Sequence, residues 1–149
     1  MKRLRAVLDT NTVIAFRRSP HATSPVREVF LRWRAGEFTL CFSDDMLLEY
    51  LEKLLALGLT EPEVETFARE IRSLGERIPV VHFHFRHYPM DADDTAFLLC
   101  ALNGTASHLV TYDDHLLTLR PHYCGQFSIC EPVEFLRELR ASAAGDGGA

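Results

Sequence analysis

The stretch LRAVLDTNT, residues 4–12, decides how the rest of the chain is read. Leu4 to Leu8 is a short apolar run that stops at Asp9, the pattern of a buried parallel strand. Asn11 to Arg17 then reads as a short helix. Further on, Ser24-Pro25 supplies an N-cap and a first-turn proline for a helix carrying Val26, Val29, Phe30 and Trp33, closed by Gly36. Thr39 to Phe42 reads as a second strand. Ser43 caps the next helix, with Asp44 and Asp45 at its positive end and Leu47, Leu51, Leu54 and Leu55 along it, up to Gly58. Thr60 and Glu63 have capping-box spacing for a helix striped by Val64, Phe67, Ala68, Ile71 and Leu74 and ended by Gly75. Ile78 to Phe83 resembles a third strand, Asp94 to Leu102 an apolar helix and Leu109 to Thr111 a fourth strand. Asp113 to Leu119 reads as a short helix, Phe127 to Cys130 as a fifth strand and Pro132 to Arg140 as the last helix.

Strands alternating with helices predict one α/β domain, a parallel sheet covered on both faces, over residues 1–140. Ala141 to Ala149, rich in alanine and glycine, reads as a disordered tail. No apolar run approaches the ~20 residues that span a bilayer, and the basic start reaches Asp9 too soon for a signal-peptide core. A cytoplasmic protein without a membrane partner is expected. Cys41, Cys100, Cys124 and Cys130 lack Cys-x-x-Cys spacing and read as reduced thiols. The net charge of −5 argues against a broad basic field coating nucleic acid. It leaves a nuclease open, because a carboxylate cluster contributes negative charge that bound cations offset. All the basic residues except Lys2 and Lys53 are arginine, the better partner for phosphate and stacked bases.

Ligands of an open parallel sheet bind outside the carboxyl ends of its strands. Asp9 ends the first strand and Asp113 follows the fourth. Glu49 lies in the helix after the second strand, and Asp94 begins a helix after the third. Four separated segments thus bring carboxylates to one edge. Clustered carboxylates raise one another's pKa unless cations neutralise them, and oxygen ligands suit Mg²⁺ or Mn²⁺. Two such ions roughly 4 Å apart activate water and stabilise the leaving oxygen of a phosphodiester. Each residue also has a plainer reading. Asp9 can be a turn or cap residue, Glu49 a surface partner of Lys53 at i,i+4, Asp94 a helix cap, and Asp113 a helix initiator.

LDTNTVIAF at 8–16, SDDMLLEYLEKL at 43–54, MDADDTAFLLCAL at 90–102 and HLVTYDDHLLTL at 108–119 resemble, in order, the successive motifs of PIN domains. The nearest branch is that of VapC-like toxins of bacterial toxin–antitoxin systems, and the resemblance runs from about Leu4 to Leu136. It implies a three-layer α/β/α fold with a central parallel sheet of four to five strands, and Mg²⁺- or Mn²⁺-dependent endoribonuclease activity on an RNA substrate. It implies a small antitoxin partner and a homodimer joined through helical faces. It assigns the metal carboxylates to Asp9, Glu49, Asp94 and Asp113, with Asn11 and Thr111 supporting them by hydrogen bonds and Asp91 as a further acidic position. Tyr112 and Ala92 depart from the small residue and the proline frequent at those positions.

Two rival functions remain at this point. Asp9-Thr10-Asn11-Thr12 also resembles the opening of haloacid dehalogenase-type phosphatases, where Asp9 would be a nucleophile. Asn11 then stands where an acid/base Asp belongs, and neither Lys2 nor Lys53 is well placed for that family's lysine. The other rival is a non-catalytic PIN-fold module that binds RNA or protein. His82, His84 and His87 form a cluster that reads as exposed-strand histidines or, with a further ligand, a zinc site. Arg17, Arg18 and His21 read as a solvated loop or as phosphate contacts.

Overall fold

The apolar run before Asp9 becomes the central strand of the sheet. In the computed structural model, which describes residues 3–18, 23–81 and 94–146, β1 (Arg5–Leu8) lies between β2 (Thr39–Phe42) and β4 (His108–Val110). With β3 (Glu76–Arg77) and β5 (Ser128–Cys130) at the edges, the order is β3-β2-β1-β4-β5 and every neighbouring pair is parallel. Parallel neighbours need crossover connections. These are α1 (Thr10–Arg18) and α2 (Pro25–Arg34) between β1 and β2, then α3 (Asp44–Ala56) and α4 (Glu61–Leu74) between β2 and β3. α5 (Thr95–Asn103) leads into β4, α6 (Asp114–Leu117) and α7 (Arg120–Tyr123) precede β5, and α8 (Pro132–Asp146) follows it.

Helices flank both faces of the sheet, giving the three-layer α/β/α architecture. α5 lies across β1, β2 and β4, whereas α8 packs on β4 and against α2. The His108 ring meets Phe135 of α8 edge-on, with centroids 5.1 Å apart. Strand alternation therefore turns Leu109 to the opposite face, where α5 lies. Ala6, Val7, Leu8, Leu40, Leu109 and Val110 are all buried in the core between these layers, as are Phe30, Trp33 and Phe67 of the helical stripes.

Capping chemistry fixes where helices begin. The Ser43 hydroxyl accepts the Met46 N–H at 3.3 Å, and Thr60 and Glu63 exchange both bonds of a capping box, at 3.3 and 2.8 Å. Ser24 stands at the N-cap of α2 ahead of Pro25, but its side chain makes no cap bond. All four cysteines are free thiols. Burial pushes the Cys41 thiol up to about 11 and that of Cys130 to about 12, and raises Cys100 too, which makes them inert packing groups. Among the described residues no helix is long and apolar enough to cross a membrane.

Three segments differ from the sequence reading. The third strand is Glu76–Arg77, ahead of the Ile78 to Phe83 run; residues 78–81 are irregular, and 82 and 83 lie outside the described residues. The cause is the tight exit from α4. A Cβ on Gly75 would sit 2.6 Å from the Ile71 carbonyl oxygen and 3.0 Å from the Phe42 ring, so the bare glycine lets the chain reach β2 at once. The pairing Cys41↔Glu76 and Phe42↔Arg77 then exhausts the ladder, closed by the Ile78 N–H on the Phe42 carbonyl at 2.7 Å. α7 follows α6 directly, where a single helix to Leu119 was expected. α8 continues through the alanines to Asp146, into the stretch read as a tail; alanine is the strongest helix former.

α2 and α8 are joined by Glu28, whose carboxylate accepts hydrogen bonds from Arg32 at 2.8 Å and Arg140 at 3.0 Å. Arg140, then Arg32, holds the Glu28 carboxyl below its usual range despite some burial. A carboxyl depressed in the fold adds stability above its unfolded pKa and loses it as pH falls through the folded value. With both arginines partly exposed, the network is worth at most about 1 kcal/mol. Glu28→Gln should therefore lower stability by up to about that amount at pH 7, with the difference vanishing in acid below the carboxylate range, as read by urea unfolding across pH.

Candidate active site

The carboxyl ends of β1 and β4 lie side by side, with the Asp9 N–H on the Val110 carbonyl at 3.1 Å. This places Asp9 at the sheet rim, only 2% exposed. One oxygen, Oδ1, accepts the Thr12 N–H at 2.9 Å and the Thr12 hydroxyl at 2.6 Å. The other, Oδ2, accepts the Thr111 hydroxyl. The Thr111 oxygen in turn accepts the Asp113 N–H at 2.8 Å, so one buried threonine spaces Asp9 from Asp113. The Asp113 Oδ1 accepts the His115 N–H at 2.9 Å and starts α6. Helix initiation and a place at the rim are thus properties of the same residue. Asp94 stands at the N-cap of α5 without a side-chain cap bond, so capping does not account for that carboxylate.

A cleft of about 230 Å³ opens over this rim. Asp9, Thr10, Asn11 and Ile14 line it from the start of α1, Glu49 and Lys53 from α3, Asp94 and Phe97 from α5, and Asp113 from beyond β4. The four acidic residues singled out in the sequence, together with Asn11, therefore share one cavity, and Thr111 lies behind it with no exposure. Asp91, His82, His84 and His87 lie outside the described residues. Glu49 owes its place to its neighbour Tyr50, a buried ring stacked near Phe97 at 6.5 Å whose hydroxyl donates to the Leu8 carbonyl.

Electrostatics at the rim are dominated by burial. It raises the Asp9 carboxyl above the ordinary range, against the opposing bonds from Thr111 and Thr12, and the charge of Asp113 adds to the rise. A cation at the rim would reverse that balance by favouring the charged form. The donor set, carboxylate oxygens with one imidazole nearby, has the chemistry that holds a divalent ion.

Four contributors were missed in the sequence. The carboxylates of Asp94 and Asp113 and a His115 ring nitrogen all lie within 4.8 Å of one another. His115 was already inside the quoted HLVTYDDHLLTL segment, and the short helix that Asp113 starts brings its ring back alongside. Lys53 read only as a surface partner of Glu49, yet i,i+4 spacing puts both on the cleft side of α3. Thr12 sits three residues after Asp9, the spacing at which a carboxylate accepts a first-turn N–H. Thr10 lines the cleft with a buried hydroxyl that has no hydrogen-bond partner among the described residues.

This geometry defines a parallel α/β domain with an acidic cleft at its switch edge. The PIN domain family profile matches residues 5–115 of the 149, and the chain belongs to that family. PIN domains are generally nucleases, typically metal-dependent. No curated protein matches the chain.

Asp9 generates a prediction for the metal-free protein. An acid whose folded pKa is raised binds its proton more tightly in the fold, so its contribution is present at low pH and is lost as pH rises through the folded value. In chelator, the stability of Asp9→Asn relative to wild type should rise as pH increases through the folded value of the Asp9 carboxyl. Urea unfolding of both proteins across pH measures that change; parallel pH profiles would contradict it.

Proposed function

We propose that the protein is a metal-dependent endoribonuclease that holds Mg²⁺ or Mn²⁺ with Asp9, Glu49, Asp94 and Asp113. The observation that carries this reading is the convergence of four carboxylates, from four separate segments, in one cleft of a PIN domain. Bound divalent ions would activate a water for attack on phosphorus and neutralise charge on the leaving oxygen. The chain's own part is positional. Thr12 and Thr111 fix the Asp9 carboxylate in one orientation, and Thr111 also sets its spacing from Asp113. Asn11 offers an amide to the phosphate or its water, and the motif resemblance adds Asp91, outside the described residues, as a further acidic group. Lys53, a cation on the wall of an otherwise acidic cleft, pairs with a phosphate of the RNA strand.

The phosphatase alternative asks Asp9 to attack phosphorus. A carboxylate that accepts hydrogen bonds on both oxygens is a restrained and weakened nucleophile, which favours the ligand role. The motif resemblance to VapC-like proteins supports a narrower reading: the toxin of a toxin–antitoxin pair, cytoplasmic, restrained by a small antitoxin and paired as a homodimer.

Purified protein should cleave members of a total-RNA panel with Mn²⁺ or Mg²⁺ and stop in chelator. Asp9→Asn should lose at least about a hundredfold in rate, on the order of losing one main electrostatic stabiliser. Unchanged cleavage by that variant sinks the assignment of Asp9, and metal binding without turnover on any RNA favours the non-catalytic module. Lys53→Met should raise KM several-fold with little change in kcat, and reduce the salt dependence of KM by about one phosphate contact. A loss confined to kcat would rule out this role for Lys53. Induced expression in a bacterial host should arrest growth, and Asp9→Asn should relieve the arrest.

A further inference from the structure

We infer that His115 supplies a nitrogen ligand beside Asp94 and Asp113, and that this nitrogen makes the site prefer Mn²⁺ to Mg²⁺. The inference rests on the metal-site reading above and goes further, to the ligand set and the choice of ion. One ligand atom each from Asp94, Asp113 and His115 lies within 4.8 Å of the other two. Ligands at about 2.2 Å from a common ion are at most about 4.4 Å apart, so a small swing of the His115 ring completes the set. The His115 side chain is about half exposed, with Nδ1 3.8 Å from the Asp113 Oδ1, and its backbone N–H is already tied to that same oxygen at 2.9 Å. The Asp113 backbone is tied to Thr111, and Asp94 is 7% exposed at the start of α5. Two positioned carboxylates thus face one ring with freedom to swing. The adjacent cleft wall carries the buried Thr10 hydroxyl, whose oxygen has no hydrogen-bond partner among the described residues.

The preference follows from ligand chemistry. Mg²⁺ binds oxygen and demands near-ideal octahedral geometry, keeping several waters. Mn²⁺ accepts the same carboxylates, and as a transition-metal ion it gains from an imidazole nitrogen and tolerates a less regular shell. An all-carboxylate rim would leave the two ions close competitors. One histidine at the rim separates them.

The test uses the full chain and does not depend on activity. Mn²⁺ added to metal-free protein should give an electron spin-echo signal modulated by a directly bound ¹⁴N, and His115→Gln should remove it. Calorimetric titration should show His115→Gln weakening Mn²⁺ by about tenfold or more, at least what losing an outer partner costs a metal site, with Mg²⁺ changed less than about twofold. Circular dichroism on the variant checks its fold, which the exposed ring does not support. Nitrogen coupling that persists in His115→Gln, or equal losses for the two ions, overturns the role of His115 and leaves the carboxylate site standing. Failure of Mn²⁺ to bind wild type at all overturns both readings.

Discussion

The collar of donors around the Asp9 carboxylate is the constraint on which the site depends. Its three hydrogen bonds come from two directions in the chain: Thr12, a turn into α1, and Thr111, just past β4. A carboxylate this buried is expensive unless its oxygens are satisfied. The two threonines offset part of that cost and, in doing so, lock the ends of neighbouring strands to the start of a helix. The rim is therefore rigid on the side of β1 and β4. Burial, only partly offset by the collar, biases Asp9 toward its neutral form when no cation is near, a stability cost kept at a place where charge is useful.

The other wall of the cleft is built differently. Asp94 and Asp113 each sit where a helix begins, but only Asp113 uses its side chain to start that helix. Among the described residues, Lys53 is the one basic side chain lining the cleft, on a wall it shares with Glu49, Asp94, Phe97 and Asp113. The cleft thus combines a fixed carboxylate at its base, two carboxylates at helix starts, and longer side chains on α3 and α6. Rigid groups define a position, and the longer ones can follow a polymer through it.

Much of this was legible in the residues. The apolar run stopping at Asp9, the Ser43 cap and the Thr60–Glu63 capping box mark elements by local chemistry, which is why their boundaries fall within a residue or so of the observed ones. The parallel sheet covered on both faces and the convergence of Asp9, Glu49, Asp94 and Asp113 at its rim followed from the general geometry of parallel sheets, whereas the strand order did not. What was not legible depended on contacts distant in sequence. β3 is a pair of exposed charged residues whose only reason to be a strand is the end of β2 beside them, so composition pointed past it to the apolar residues beyond. His115 looked like an ordinary residue of a short helix, because its relation to Asp94 exists only once α5 and the segment after β4 are folded together. Thr12, three residues after Asp9, has the spacing of a capping partner, but a lone threonine in a first turn carries no signal of a metal site by itself.

Tyr50 carries a consequence for Glu49. Successive residues on a helix are rotated by about 100° around its axis, so pinning one side chain sets the azimuth of the next. Tyr50 is anchored inward, its ring against Phe97 and its hydroxyl on the last carbonyl of β1. The Ser43 cap meanwhile fixes where α3 starts along its axis. Together they work like a key and a keyway on a shaft: α3 can neither spin nor slide without breaking a buried bond. Glu49, the residue before Tyr50, is thereby indexed to the same strand that ends in Asp9.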